Sequence, residues 1–173
     1  MVTGSHIPDD RNGIKFNRPD GEVLKSDEAG IAEQEVFSGR ECTAAGEFAG
    51  GPVPPPAVEG VARREYVARY LHAFPGRPLR GMRIGVYQHS AVGRDVIVEV
   101  LQGLGAATTA LGRSDRFIPV DTEAIRPEDV ELARAWAAGG GYDALVSADG
   151  DSDRPLVSDE QGRWLRGDVA GVL

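Results

Sequence analysis

Cysteine is almost missing from this chain, with Cys42 as the single example. No internal disulfide framework can form, and such usage suits a reducing compartment. Cys42 itself reads as an ordinary thiol in a polar loop. Long apolar runs are lacking as well, and nothing approaches the ~20 residues that span a bilayer. The opening Met1-Val2-Thr3-Gly4-Ser5-His6 has neither the basic region nor the apolar stretch of a signal peptide, so a cytoplasmic protein is expected. Basic residues are in the minority, 19 Lys and Arg against 27 Asp and Glu, a net charge of −8. A chain this acidic is not built to coat nucleic acid. It would also repel an anionic sugar phosphate unless basic groups were concentrated at one place. What the chain does have is apolar material for a core, at 41% of 173 residues. That length fits one domain, or a small domain beside a remnant of another.

Two unequal parts are visible. Residues 1–46 are polar and weakly periodic, with a helix expected near Asp27–Phe37. Gly50-Gly51-Pro52-Val53-Pro54-Pro55-Pro56 can continue neither a helix nor a central strand and reads as a connector. Val67, Tyr70, Leu71 and Phe74 then recur at helical spacing, and Pro75-Gly76 stops that helix, which is expected to bridge the parts. From Leu79 the pattern is regular. Met82, Ile84 and Val86 alternate as in a strand, and Ile97, Val100, Leu101 and Leu104 form a helical face. Ala106–Leu111 reads as a second strand. Pro127, Glu128 and Asp129 open a helix with Ala135 and Trp136 on its apolar face, ended by Gly139-Gly140-Gly141. Asp143–Ala148 is a third strand, and Leu156-Val157 with Arg163-Trp164-Leu165 forms a hairpin. Both tryptophans are expected in the core. Alternating strands and helices predict an α/β/α sandwich with a mostly parallel sheet over 79–173, preceded by a bridging helix and linker over 61–78.

Ligands gather at the carboxyl ends of such strands. Asp149-Gly150-Asp151-Ser152-Asp153-Arg154 follows the third strand directly and places three carboxylates at alternate positions, beside small residues and before an arginine. Hard oxygen donors in that pattern suit Mg²⁺, which keeps room for phosphate or water. A calcium loop of EF-hand type, with Glu160 at position 12, fails because position 6 needs glycine and is Arg154. Near the start, Ser5 offers a hydroxyl beside His6, and an Asn12-Gly13 turn could bring Lys15 back toward it. No Gly-x-Ser-x-Gly elbow surrounds Ser5, and no acid completes a hydrolase triad. His72 reads as exposed or packing, and His89 lies in a strand-to-helix loop where it could touch an anion. A nucleophile in one place and a cation with an arginine in another suit phosphoryl transfer.

Thr3-Gly4-Ser5-His6-Ile7-Pro8 with Asn12-Gly13-Ile14-Lys15 resembles the phosphoserine loop of the α-D-phosphohexomutases, and Asp149–Arg154, with Gly167-Asp168 beyond, resembles their metal loop. Pro119-Val120-Asp121-Thr122-Glu123-Ala124 is similar to stretches of the phosphomannomutase/phosphoglucomutase subgroup. The resemblance implies that Ser5 carries the phosphoryl group, assisted by His6 and Lys15. It implies that Asp149, Asp151 and Asp153 hold Mg²⁺ together with a phosphoserine oxygen of Ser5, and that Arg154 steadies phosphate. The substrate would be a hexose phosphate, and the intermediate and activator a hexose 1,6-bisphosphate. Gly4 and Ile7 depart from the alanine and asparagine common there. The match covers the later part of the family's first domain and about all of its second, so it implies that residues 1–60 are a truncated partial α/β domain, the remnant of the first, and the chain is expected to be a fragment without activity of its own. The alternative is a stand-alone Mg²⁺-dependent phosphate-binding module. The preferred hexose and the oligomeric state stay open.

Overall fold

The computed structural model describes residues 2, 3, 11, 13–35, 37 and 39–172 of the chain. It divides into two compact units, Lys15–Gly60 and a larger one made of Val2–Ile14 with Val61–Leu173.

In the chain's first stretch, β1 (Val2–Thr3) pairs antiparallel with β2 (Gly13–Ile14). In the smaller unit, β3 (Asn17–Arg18) and β4 (Gly21–Glu22) form a hairpin, followed by α1 (Lys25–Ala32). Arg18 binds both Asp20 and Asp27, fastening the hairpin to the first turn of α1. The Asp27 carboxylate also accepts from the Leu24 N–H, satisfying one of the donors left open at a helix start. This helix begins earlier and ends sooner than the Asp27–Phe37 expected. None of its residues is buried, so no apolar stripe marked its length.

The larger unit is built on a five-stranded sheet in the order β6-β5-β7-β8-β9. Its elements are α2 (Val61–Ala73), β5 (Arg83–Tyr87), α3 (Arg94–Gly103), β6 (Ala107–Leu111), α4 (Pro127–Gly140), β7 (Ala144–Ala148), β8 (Pro155–Ser158), β9 (Trp164–Leu165) and α5 (Gly167–Ala170). Strands β6, β5 and β7 run parallel, and β8 and β9 return antiparallel as the expected hairpin.

Because successive strand residues point to opposite faces, β5 serves two cores. Ile84 and Val86 pack with Ala106 and with Ile97, Val98 and Leu101. Tyr87 faces the other way, with Val120, Leu156, Trp136 and Trp164. Helices α3 and α4 thus cover opposite faces, and the layers are α/β/α. Both tryptophans pack against the core, as expected.

Three details correct the pattern read from sequence. The buried side of α4 holds Asp129, Ala133 and Trp136, whereas Ala135 is exposed. At 100° per residue, Ala135 points well away from its neighbour Trp136, so the two cannot share a face. Phe74 is 55% exposed, lying just past the end of α2, whose buried residue is Val67. Strand β6 begins at Ala107, because Ala106 closes the turn by donating to the Leu101 carbonyl.

Candidate metal centre at the carboxyl end of the sheet

Strands β5, β6 and β7 end on one edge, and three loops leave from it. The loop after β7 carries Asp149, Asp151 and Asp153, each offering a carboxylate oxygen within 4.8 Å of the others. Hydrogen bonds shape it. The Asp149 N–H donates to the Arg154 carbonyl, and Ser152 N–H to the Asp149 carbonyl, both at 3.2 Å. Asp149 Oδ1 accepts from the amides of Asp153 and Arg154, at 3.1 and 3.2 Å.

A second loop braces the first. Val92 N–H donates to the Gly150 carbonyl at 3.0 Å, and Gly93 N–H to Ser152 Oγ at 2.8 Å. Ser152 has φ of 66°, in the left-handed region that few non-glycine residues enter. Gly93 is required by proximity: a Cβ there would lie 2.7 Å from Ser152 Cβ. The start of α3 and the aspartate loop are therefore fitted to one another.

Electrostatically the loop is unfinished. Asp149 is 2% exposed, and its Oδ2 is buried with no hydrogen-bond partner among the described residues. Burial pushes the carboxyl up to about 6; the Arg154 amide opposes this, and repulsion from Asp151 and Asp153 adds to it. A buried carboxylate crowded by two others is costly unless a cation joins them. The donor set is all hard oxygen, and Asp151 and Asp153 line an open groove of about 610 Å³ running past Val92, Val96 and Tyr70. The residues present fit Mg²⁺.

The structure gathers Asp149, Asp151 and Asp153 as expected. Arg154 follows them, with its guanidinium 3.1 Å from Glu123 in a partly exposed ion pair. Lys15 is exposed and belongs to the smaller unit. Ser5 and His6 lie outside the described residues. His72 and Cys42 are exposed.

Three features of this end of the larger unit gave little sequence signal. His89 is 0% exposed, with φ of 27°, and its Nε2 lies 2.8 Å from the Ala148 carbonyl. Burial lowers its pKa. Asp129, at the start of α4, is also fully buried, held by Arg126 through two 2.7 Å bonds and by the Tyr87 hydroxyl at 3.0 Å. Tyr87's own burial, then the Asp129 carboxylate, raise the Tyr87 pKa. The third feature is the Ser152–Gly93 bond, which joins residues far apart in the chain.

Comparison with known proteins agrees with this architecture. The family described as phosphoglucomutase/phosphomannomutase, alpha/beta/alpha domain II, matches residues 64–162. A phosphomannomutase of Salmonella muenchen is 45% identical over 173 residues, covering all of this chain and 34% of that protein. A phosphoglucosamine mutase of Gluconacetobacter diazotrophicus is 30% identical over 174 residues, covering 97% and 36%. In fold, the chain is similar to a phosphoglucomutase/phosphomannomutase family protein of Burkholderia thailandensis, with a TM-score of 0.67 at 21% identity, over 94% of this chain and 33% of that one. The chain spans about a third of the length of these relatives. It belongs to the phosphoglucomutase/phosphomannomutase family, whose α/β/α domain II forms most of its larger unit.

Proposed function

We propose that this chain supplies the phosphoserine and the cation loop of a phosphohexomutase, an intramolecular phosphotransferase that interconverts hexose 6-phosphate and hexose 1-phosphate in the cytoplasm. The observation that carries the reading is the three-carboxylate loop after β7, with one buried carboxylate oxygen lacking a partner. Family membership supports it.

Asp149, Asp151 and Asp153 would hold Mg²⁺, with an oxygen of phosphorylated Ser5 as a further ligand. When bound, the cation offsets negative charge on a phosphoryl group in transfer. Ser5 gives its phosphoryl group to a free hydroxyl of the hexose phosphate. The proton of that hydroxyl passes to the leaving serine oxygen, giving hexose 1,6-bisphosphate and an unmodified serine. The bisphosphate turns over, and the serine takes its other phosphoryl group while the serine proton passes to the sugar oxygen released, so one phosphate has moved between ends of the sugar. His6 and Lys15 assist proton movement and phosphate orientation, and Arg154 steadies phosphate by leaving its exposed partner Glu123. As 173 residues alone the chain is proposed to turn over little substrate, since it spans a third of the relatives' length.

Peptide mass spectrometry of the chain from its source cells tests the reading, with the Mg²⁺ affinity of Ser5→Ala measured alongside. Phosphate on Ser5 is expected. Ser5 unmodified both in cells and after incubation with hexose 1,6-bisphosphate and Mg²⁺ would overturn the transfer role. If Mg²⁺ binding persisted under those conditions, the chain would be a binding module.

A further inference from the structure

We infer that His89 is a positioning residue for the cation loop, acting through the Ala148 carbonyl; this rests on the metal site proposed above. Several observations meet at this histidine. Its ring lies wholly inside the protein, at 0% exposure, with Nε2 2.8 Å from the Ala148 carbonyl, the last backbone acceptor before Asp149. For that contact to be a hydrogen bond, Nε2 must carry the proton and donate. His89 adopts φ of 27°, where a glycine would sit without strain. What the imidazole adds at this position is a ring donor.

The backbone of His89 is itself fixed. Its carbonyl accepts from the Arg94 guanidinium at 2.9 Å and from the Ser114 amide at 2.9 Å. Two residues before it, the Tyr87 carbonyl accepts from Ser147 Oγ at 2.7 Å. The ring therefore reaches across from an anchored β5 terminus to the last residue of β7. It holds that strand end in the direction that brings the Asp149 carboxylate under Asp151 and Asp153.

Of the other contacts at this strand end, Ser147 Oγ reaches the same carbonyl only at 3.4 Å, and the Asp149 N–H, on the residue that follows, donates to the Arg154 carbonyl at 3.2 Å. The other braces on the loop, from Val92 and Gly93, act on Gly150 and Ser152, beyond the first aspartate. Without the ring donor, the Ala148 carbonyl keeps only the longer Ser147 Oγ contact at 3.4 Å and is held less firmly. The Asp149 Cα, two bonds further along the backbone, shifts with it and carries the carboxylate. Partners of this kind behind a metal ligand typically govern affinity by 10- to 100-fold.

The test compares His89→Leu, which removes the donor, with His89→Gln, whose amide nitrogen can take the place of Nε2. Mn²⁺ affinity is read by electron paramagnetic resonance, and metal-free thermal unfolding is recorded for each full-length chain. His89→Leu should weaken Mn²⁺ binding by about 10-fold or more while still unfolding cooperatively, and His89→Gln should recover most of that loss. Unchanged affinity in a folded His89→Leu chain would overturn the inference, as would a glutamine variant no better than leucine. An unaltered chain that binds no Mn²⁺ would remove the metal site and this role together, which separates the two failures. Should His89→Leu not fold, nitrogen-15 NMR of the unaltered chain decides. A slowly exchanging Nε2 proton, absent in His89→Gln and shifted by Mg²⁺, supports the role; its absence, or indifference to Mg²⁺, contradicts it.

Discussion

Asp149 holds the largest unmet demand of any side chain described near the site. One oxygen takes two backbone amides, the other takes nothing, and two more carboxylates stand nearby. Asn at this position keeps an oxygen for those amides and removes the buried charge. Asp149→Asn should therefore melt at the same or a higher temperature than the unaltered chain when both are metal-free. The pH dependence follows from the same carboxyl, whose folded value of about 6 lies above the ordinary aspartate value near 4. With the folded value raised, its stabilising share is complete at low pH and is lost as pH rises toward and through 6. The unaltered metal-free chain should lose melting temperature relative to Asp149→Asn between about pH 4 and pH 7. Mg²⁺ should cancel the difference by stabilising the ionised form. Parallel melting curves across that range, without metal, would show that Asp149 is not the strained group.

Among the elements, the start of α3 and the loop after β7 behave as one piece. Gly93 has φ of −85°, which alanine adopts freely, so the objection to a side chain there is purely one of space. The added Cβ would stand 2.7 Å from Ser152 Cβ and 2.8 Å from its Oγ. Gly93→Ala should cost about 1–3 kcal/mol in unfolding free energy through overpacking. It should also weaken Mg²⁺ binding by displacing the loop between Asp151 and Asp153. Adding Ser152→Gly returns the space and suits the left-handed backbone, so the double variant should recover much of the lost stability. Additive losses in urea unfolding would mean that the two residues do not press on one another. The same elements show what sequence pattern can and cannot reveal. Strands β5 and β7 announced themselves because both are heavily buried, and alternation at Met82, Ile84 and Val86 matched the sheet period. Helix α1 departs from its expected length because its faces are equally wet, and Ala135 from its expected face because adjacency is not shared direction on a helix.

Across the whole molecule, the α/β/α architecture places the cation loop where a parallel sheet delivers its ligands, at the carboxyl end of β7 beside the β5 terminus. The three aspartates were legible from their spacing alone, since the chemistry lies within five consecutive residues. Their support was not, because His89 and Gly93 reach the loop from 59 positions away and only the folded sheet brings them there. The Arg126–Asp129–Tyr87 cluster was hidden for a similar reason: an acid in a first helical turn looks like a solvated charge until the hairpin covers it. Family membership and the loop geometry support the proposed cation site. Calorimetric titration of the metal-free chain with Mg²⁺, repeated on Asp149→Asn, examines that site directly. Saturable binding of one ion per chain, abolished by the substitution, is the expected result. No saturable heat from the unaltered chain, or equal binding by both, would contradict it.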